Sequence, residues 1–239
     1  TCGFEVAAAG RGHKWKPEYR FSTPDTIWDY WGVTAEKAER GRLNPKMFNS
    51  FLDGTKPAIE SAAISNATGL NAPTNGLTYP SGAIDDIANL MRPKKEGGVL
   101  EKAGMVEVIS SFAEDGSMIP NDIRQGVWVV VKATSDYVAN CFEEYMVSTD
   151  DSGLYYCNFK RFHLIGLELG LSVGSVGIRK EATGTSKEFR SDVVAVSKRD
   201  MKAGEMLDGE GGYCVAGQLR PSRISVPMRA LPLGLTADI

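Results

Sequence analysis

The sequence predicts an α/β protein, and three observations predict it. Phe4 to Ala8 is a short apolar run of strand type that leads into the basic, glycine-punctuated stretch Gly10-Arg11-Gly12-His13-Lys14. Met47 to Thr68 carries apolar residues at a mostly helical period. Beyond residue 100 the period changes. Met105 to Ile109 alternates, and Gly126 to Ala133 is a near-continuous β-branched run of the kind buried in the middle of a sheet.

The elements follow in chain order. The Phe4 strand is expected to hand over to a loop from Gly10 to Pro17. A strand with nothing ahead of it has no partner for its edges, so the chain is expected to open inside a larger fold. The apolar segment that runs out at Ile239 predicts the same of its end. Thr23-Pro24-Asp25 reads as an N-cap with proline in the first helical position, opening a short helix through Trp28, Tyr30 and Trp31 that stops at Gly32-Val33. A second helix opens at Thr34, with the spacing of a capping box to Lys37 but not its acid. Asn44-Pro45 reads as a breaker. Within Met47 to Thr68, Asp53-Gly54-Thr55 interrupts the period, so either two helices meet there or a loop carries Lys56.

Asn71 to Ser81 is a long connection rich in Asn, Pro, Gly and Thr, the sort that serves binding. Ala83 to Met91 reads as a short helix ended by Arg92-Pro93. Leu154 to Phe159 is a third strand and Phe162 to Leu169 a short helix. Gly166, Gly170, Gly174 and Gly177 recur in a way that suits a tightly packed crossing. The polar stretch Ala182 to Arg190 predicts a domain boundary. Val193 to Val196, Lys202 to Leu207, Gly211 to Val215 and Leu231 to Leu235 read as short extended pieces.

Composition bounds the function. The 239 residues are 42% apolar and 24% charged, with a formal net charge of −3. That fits one large or two small globular domains and gives no field to draw nucleic acid or an anionic membrane. No stretch approaches the ~20 apolar residues of a membrane helix. Cys2, Cys141, Cys157 and Cys214 have spacings that fit no zinc site and read as free thiols of a reducing, cytoplasmic compartment. With two histidines a multi-histidine metal site is excluded within one chain, while an oxygen-ligand site for Mg²⁺ or Mn²⁺ stays open.

Four places hold residues suited to chemistry. Gly10, Gly12 and Lys14 put flexible backbone and a cation at a strand's carboxyl end, where open α/β sheets bind ligands. They form only part of a dinucleotide motif, because Trp15 stands where the third small residue belongs, and a surface loop with a solvated lysine is the alternative. Lys56, beside Thr55, is either a phosphate or carbonyl contact or the partner of Glu60 in a surface pair. Lys160, Arg161 and His163 follow an apolar strand as an anion site would, or as an ordinary basic strand end. The pairs Asp85-Asp86 and Asp150-Asp151 read as solvated caps before a metal pair.

Taken together, Phe4 to Lys14, Asn49 to Lys56, Phe162 to Glu168, and Asp192 to Ala195 with Gly211-Gly212-Tyr213 resemble the homoserine-dehydrogenase-like oxidoreductases with a C-terminal SAF domain. That family includes the enzymes resembling 1-deoxy-D-xylulose 5-phosphate reductoisomerase. The chain departs from the family's Arg-Pro-Tyr-His run, having Lys160-Arg161-Phe162-His163 there. The resemblance implies residues 1–45 as the end of a nucleotide-binding Rossmann domain with its connector, 46–188 as an α+β substrate and dimerisation domain, and 189–239 as part of a β-rich SAF module. It implies NADPH, a divalent metal such as Mg²⁺ or Mn²⁺, a small phosphorylated keto-sugar and a homodimer, and a fragment that is inactive alone. Lys14, Lys56 and His163 are then the expected catalytic residues. Thr55, Asn66, Lys160 and Arg161 are the expected substrate contacts, with Gly10 and Gly12 near the cofactor. A dehydrogenase of a small hydroxy or amino acid, or a non-catalytic SAF-type binding protein, are the alternatives.

Overall fold

A computed structural model of the chain describes residues 4–237. Cys2 and the terminal Ile239 lie outside them. The elements are β1 (Glu5–His13), α1 (Ile27–Trp31), α2 (Ala35–Arg40), α3 (Pro45–Leu52), α4 (Thr55–Thr68), α5 (Ile87–Leu90), β2 (Met105–Ser110), β3 (Val127–Lys132), α6 (Asp136–Glu144), β4 (Tyr155–Lys160), α7 (Leu169–Gly174), β5 (Ser191–Ser197), β6 (Val215–Pro221) and α8 (Ser222–Ser225).

Strands β2, β1, β3 and β4 form, in that spatial order, one mixed four-stranded sheet. The β1–β2 pair is parallel, whereas β1–β3 and β3–β4 are antiparallel. A separate antiparallel pair, β5–β6, makes a small second sheet. The large sheet is covered on both faces. On one, Ile84, Ile87, Ala88 and Met91 pack with Trp128, Val130, Tyr155 and Cys157. On the other, Ala58 and Ala62 of α4 pack with Val106 of β2 and Leu219 of β6. The small sheet thus reaches the large one through α4.

Several expectations are corrected. β1 is not the unpaired end of another sheet: β2 and β3 satisfy both its edges, so residues 4–45 and 46–188 share one sheet and core. The stretch Gly10 to His13 is strand, not loop. Its glycines are needed because β1 runs between close neighbours: a Cβ on Gly10 would overlap the Glu107 carbonyl, and one on Gly12 the Ile123 carbonyl. Asn44-Pro45 starts a helix instead of breaking one, with Asn44 capping the Met47 amide at 3.3 Å and Pro45 in the first turn. The first short helix begins at Ile27, because Thr23 to Thr26 close a turn on themselves. At Asp53-Gly54-Thr55 two helices do meet. Gly54 adopts φ 87°, and a Cβ there would lie 2.8 Å from the Tyr79 hydroxyl.

The expected helix over 162–169 is displaced. Irregular turns fill Phe162 to Glu168, and α7 begins at Leu169. Gly166, Gly170, Gly174 and Gly177 pack against nothing, so there is no tight crossing. This arm instead exposes apolar side chains, with Leu167 at 83% and Ile178 at 84% of full exposure. Asp85 and Asp86 are not a metal pair. Asp86 accepts from the Ala83 amide at 2.9 Å and Asp85 from Asn121 at 3.1 Å. Among the described residues no three His, Cys, Asp or Glu side chains come together as metal ligands. Cys141, Cys157 and Cys214 are free thiols. No helix of the described residues is long and apolar enough to cross a membrane.

Candidate active site

The sheet brings three chain segments to one end. Because β1 is antiparallel to β3 and β3 to β4, Arg11 lies opposite Val127 and Val127 opposite Lys160. The exit of β1, the entrance of β3 and the exit of β4 therefore converge. A cavity of about 250 Å³ opens there, lined by Arg11, His13 and Lys14 from β1 and its exit, Arg124 and Gln125 before β3, and His163 after β4. Trp31, Phe48, Phe51 and Ile165 give it an apolar wall. Ligands in α/β sheets bind outside the carboxyl ends of strands, and β1 delivers this end of the sheet.

Among the described residues no carboxylate lines the cavity, and its cations differ in how far they are committed. Arg11 is tied to Glu60 of α4. Arg124 is held by Asp122 through Nε at 2.9 Å and Nη2 at 2.5 Å. Lys14 Nζ donates only to the Tyr30 carbonyl, at 2.7 Å, and lies 5.7 Å from the centre of the Trp31 ring. Burial, then the charges of Arg124 and Lys16, pulls its pKa below the ordinary lysine value. An ammonium crowded by two other cations is stabilised by an arriving anion. His163 is fixed by its own amide, which donates to the Gln125 carbonyl at 2.6 Å, and by Nδ1 at 2.9 Å from Glu168 Oε2. A carboxylate on one ring nitrogen leaves the other to face a ligand.

Of the residues expected from sequence, the structure brings Lys14 and His163 together. Lys160 also pairs with Glu168, and Arg161 bonds Asn121; both are exposed and stand outside the cavity wall. Gly10 and Gly12 lie inside the strand.

The remaining three lie elsewhere, on the face of α4 that meets β5 and β6. The Thr55 hydroxyl accepts from the Gly217 amide at 2.7 Å. Lys56 pairs not with Glu60 but with Glu210, at 3.1 Å. Asn66 holds the approach to β5, accepting from the Arg190 and Ser191 amides and donating to the Ser191 carbonyl. Beneath them is a buried ion pair. Lys198 Nζ lies 2.7 Å from Asp53 Oδ2, with side chains 2% and 0% exposed. The same ammonium donates to the Ser22 and Gly212 carbonyls, each at 2.8 Å. Burial pushes the Asp53 carboxyl up, against the pull of Lys198. This is a seam between helix and C-terminal sheet.

Sequence reasoning passed over His13, Arg124, Trp31 and Phe51. The first ends β1 beside Lys14 and signalled itself only by its neighbour. Arg124 reaches the cavity through the register of β3, and Trp31 and Phe51 come to it from α1 and α3.

An α/β sheet with a cationic cavity at a strand's carboxyl end, walled by aromatic side chains, has the form of an enzyme's ligand site. Residues 1–169 match the family model described as oxidoreductase DRL, catalytic domain, and the chain belongs to that family. No curated protein matches the chain.

Proposed function

We propose that this oxidoreductase reduces a phosphorylated keto-sugar with NADPH, in the manner of 1-deoxy-D-xylulose 5-phosphate reductoisomerase-like enzymes of isoprenoid precursor synthesis. The observation that carries the reading is the unpaired Lys14 ammonium beside Arg124 in a cavity free of carboxylates. Two fixed cations suit a phosphate. An amino acid would find no acid there for its ammonium, which argues against the substrate of a homoserine dehydrogenase. Lys14 and Arg124 hold the anion and polarise the adjacent carbonyl. His163, oriented by Glu168, delivers the proton to the substrate oxygen. The aromatic wall excludes water.

NADPH supplies the hydride. Gly10 and Gly12 do not suit its pyrophosphate, because a strand interior offers no turn of free amides. We therefore place the cofactor on another part of the protein, against the open side of the cavity. The residues present fit a divalent metal no better, since Asp85 and Asp86 already serve as caps. We further assign residues from 189 onward to a SAF-type module, on the strength of the β5–β6 pair. We place the protein in the cytoplasm as a homodimer; the exposed apolar arm after β4, whose only charge between Gly166 and Gly177 is Glu168, supports the dimer.

The test is NADPH oxidation by the full-length protein with 1-deoxy-D-xylulose 5-phosphate. Product above background, lost in Lys14→Met, is the expected result. No product with that ketose, but turnover of a small hydroxy acid, overturns it.

A further inference from the structure

The cavity at the end of β1 is rich in donors. Arg11, Lys14 and Arg124 present only N–H groups at their charged ends. Among the polar groups on its wall, the exposed His163 ring can turn to donate or accept and the Gln125 amide can turn either way. His13 does neither. Its residue is 3% exposed, it lines the cavity, and its Nε2 lies 2.6 Å from the Phe51 carbonyl oxygen.

A carbonyl oxygen only accepts, so Nε2 of His13 must carry the hydrogen. Burial, and after it the Arg11 guanidinium, depresses the ring's pKa to about 3, so the imidazole is neutral at working pH. Nδ1 therefore holds a lone pair. Within the described residues no hydrogen bond reaches it, and the ring lines the cavity. The result is a fixed acceptor set among cations.

Such an acceptor discriminates by chemistry. Phosphate and ketone oxygens have no hydrogen to give it and would face it lone pair to lone pair. A hydroxyl satisfies it. The cations take the anion, and the acceptor calls for a donor beside it.

We propose that His13 Nδ1 accepts a hydrogen bond from a substrate hydroxyl, so that the cavity selects hydroxylated anionic substrates over their deoxy counterparts. The inference rests on the cavity being the substrate site. His13 is then a specificity-determining contact and, being neutral, does not itself act as the proton donor.

The experiment is long-range ¹⁵N–¹H NMR of the imidazole nitrogens in the intact protein. The probes are inorganic phosphate, 1-deoxy-D-xylulose 5-phosphate, and the 3-deoxy and 4-deoxy forms of that ketose phosphate. Free protein should show Nδ1 unprotonated. The ketose phosphate should move the Nδ1 resonance towards the hydrogen-bonded position, while phosphate alone should not. One of the two deoxy forms should fail to move it and should bind about tenfold or more weakly. His13→Gln, which keeps both a donor for Phe51 and an acceptor, should retain that preference, and His13→Phe should lose it while still binding phosphate. A protonated Nδ1, or equal binding of the parent and both deoxy forms, overturns the hydroxyl contact alone. Failure of phosphate to bind at all overturns the anion-site reading beneath it.

Discussion

Two polar regions sit on either side of α3 and α4, and they use the same residue types to opposite ends. At the seam with the C-terminal sheet, Thr55, Asn66 and Lys198 have their bonding capacity committed inside the protein. Thr55 takes the Gly217 amide, Asn66 takes three backbone groups, and Lys198 is shared by Asp53 and two carbonyls. At the cavity the capacity is left over. Lys14 uses one of its three N–H groups and His163 one ring nitrogen. A catalytic group must have bonds free for its substrate, so unused capacity beside a cavity separates site from scaffold better than residue type does.

The comparison breaks first, if it breaks, at the buried pair. Lys198→Met leaves Asp53 without its partner in the interior, which costs about 3–5 kcal/mol. Denaturant unfolding should show that loss while kcat per folded molecule stays near the parent value. A stable Lys198→Met protein with kcat reduced a hundredfold would move the seam into the active site. Lys14→Met should do the reverse. Loss of an electrostatic contact of this kind lowers kcat/KM about 10²–10³-fold, and stability should stay within about 0.5 kcal/mol, as for a half-buried group without a buried partner. The measurements are NADPH-oxidation kinetics and calorimetric melting on the same preparation.

Glu107 sharpens the rule, because a perturbed pKa is often taken as the mark of a site. Burial in β2 pushes its carboxyl up to about 7, and its oxygens accept from Thr78, Tyr79 and Val108. It does not line the cavity. A carboxyl raised on folding favours the protonated native state, so that contribution is complete below the unfolded value near 4.5. It falls away as pH climbs to about 7, a total of about 3 kcal/mol by linkage. Unfolding free energies between pH 4.5 and 7 should slope downward in the parent, and the slope should flatten in Glu107→Gln. An unchanged slope would remove Glu107 as its source.

Much of the fold was legible because it rests on local pattern. The β-branched run at Val127 to Val131 needed no partner to be recognised, and Asp53-Gly54-Thr55 announced a break between helices. What was not legible depends on distant contact. Gly10-Arg11-Gly12 looks like a flexible loop until β2 and β3 close on both sides and turn its glycines into a packing requirement. The glycines after β4 looked like a crossing because spacing alone does not say whether a second helix exists. For the site, the Lys14 and His163 segments were readable as cations at strand ends. Arg124 was not, since it reaches the cavity only through the antiparallel register of β3. Thr55, Lys56 and Asn66 misled for the same reason, their partners Gly217, Glu210 and Ser191 lying more than a hundred residues away.

The smallest expected effect falls on the residue the sequence promoted most strongly beside Lys14. Lys56 is two residues from Gly54, in the first turn of the longest helix among the described residues, and its ammonium meets Glu210 with both side chains about a third exposed, 33% and 37%. Solvent screens such a pair, so removing it is worth about 0–1 kcal/mol. Its attraction also fades with salt over the ~8 Å Debye length of physiological ionic strength. Lys56→Met should therefore leave kcat/KM within twofold of the parent and shift melting only at low salt. A hundredfold loss of activity in Lys56→Met, with melting unchanged, would show that the ammonium leaves Glu210 to reach substrate, and that a surface pair can conceal a catalytic group.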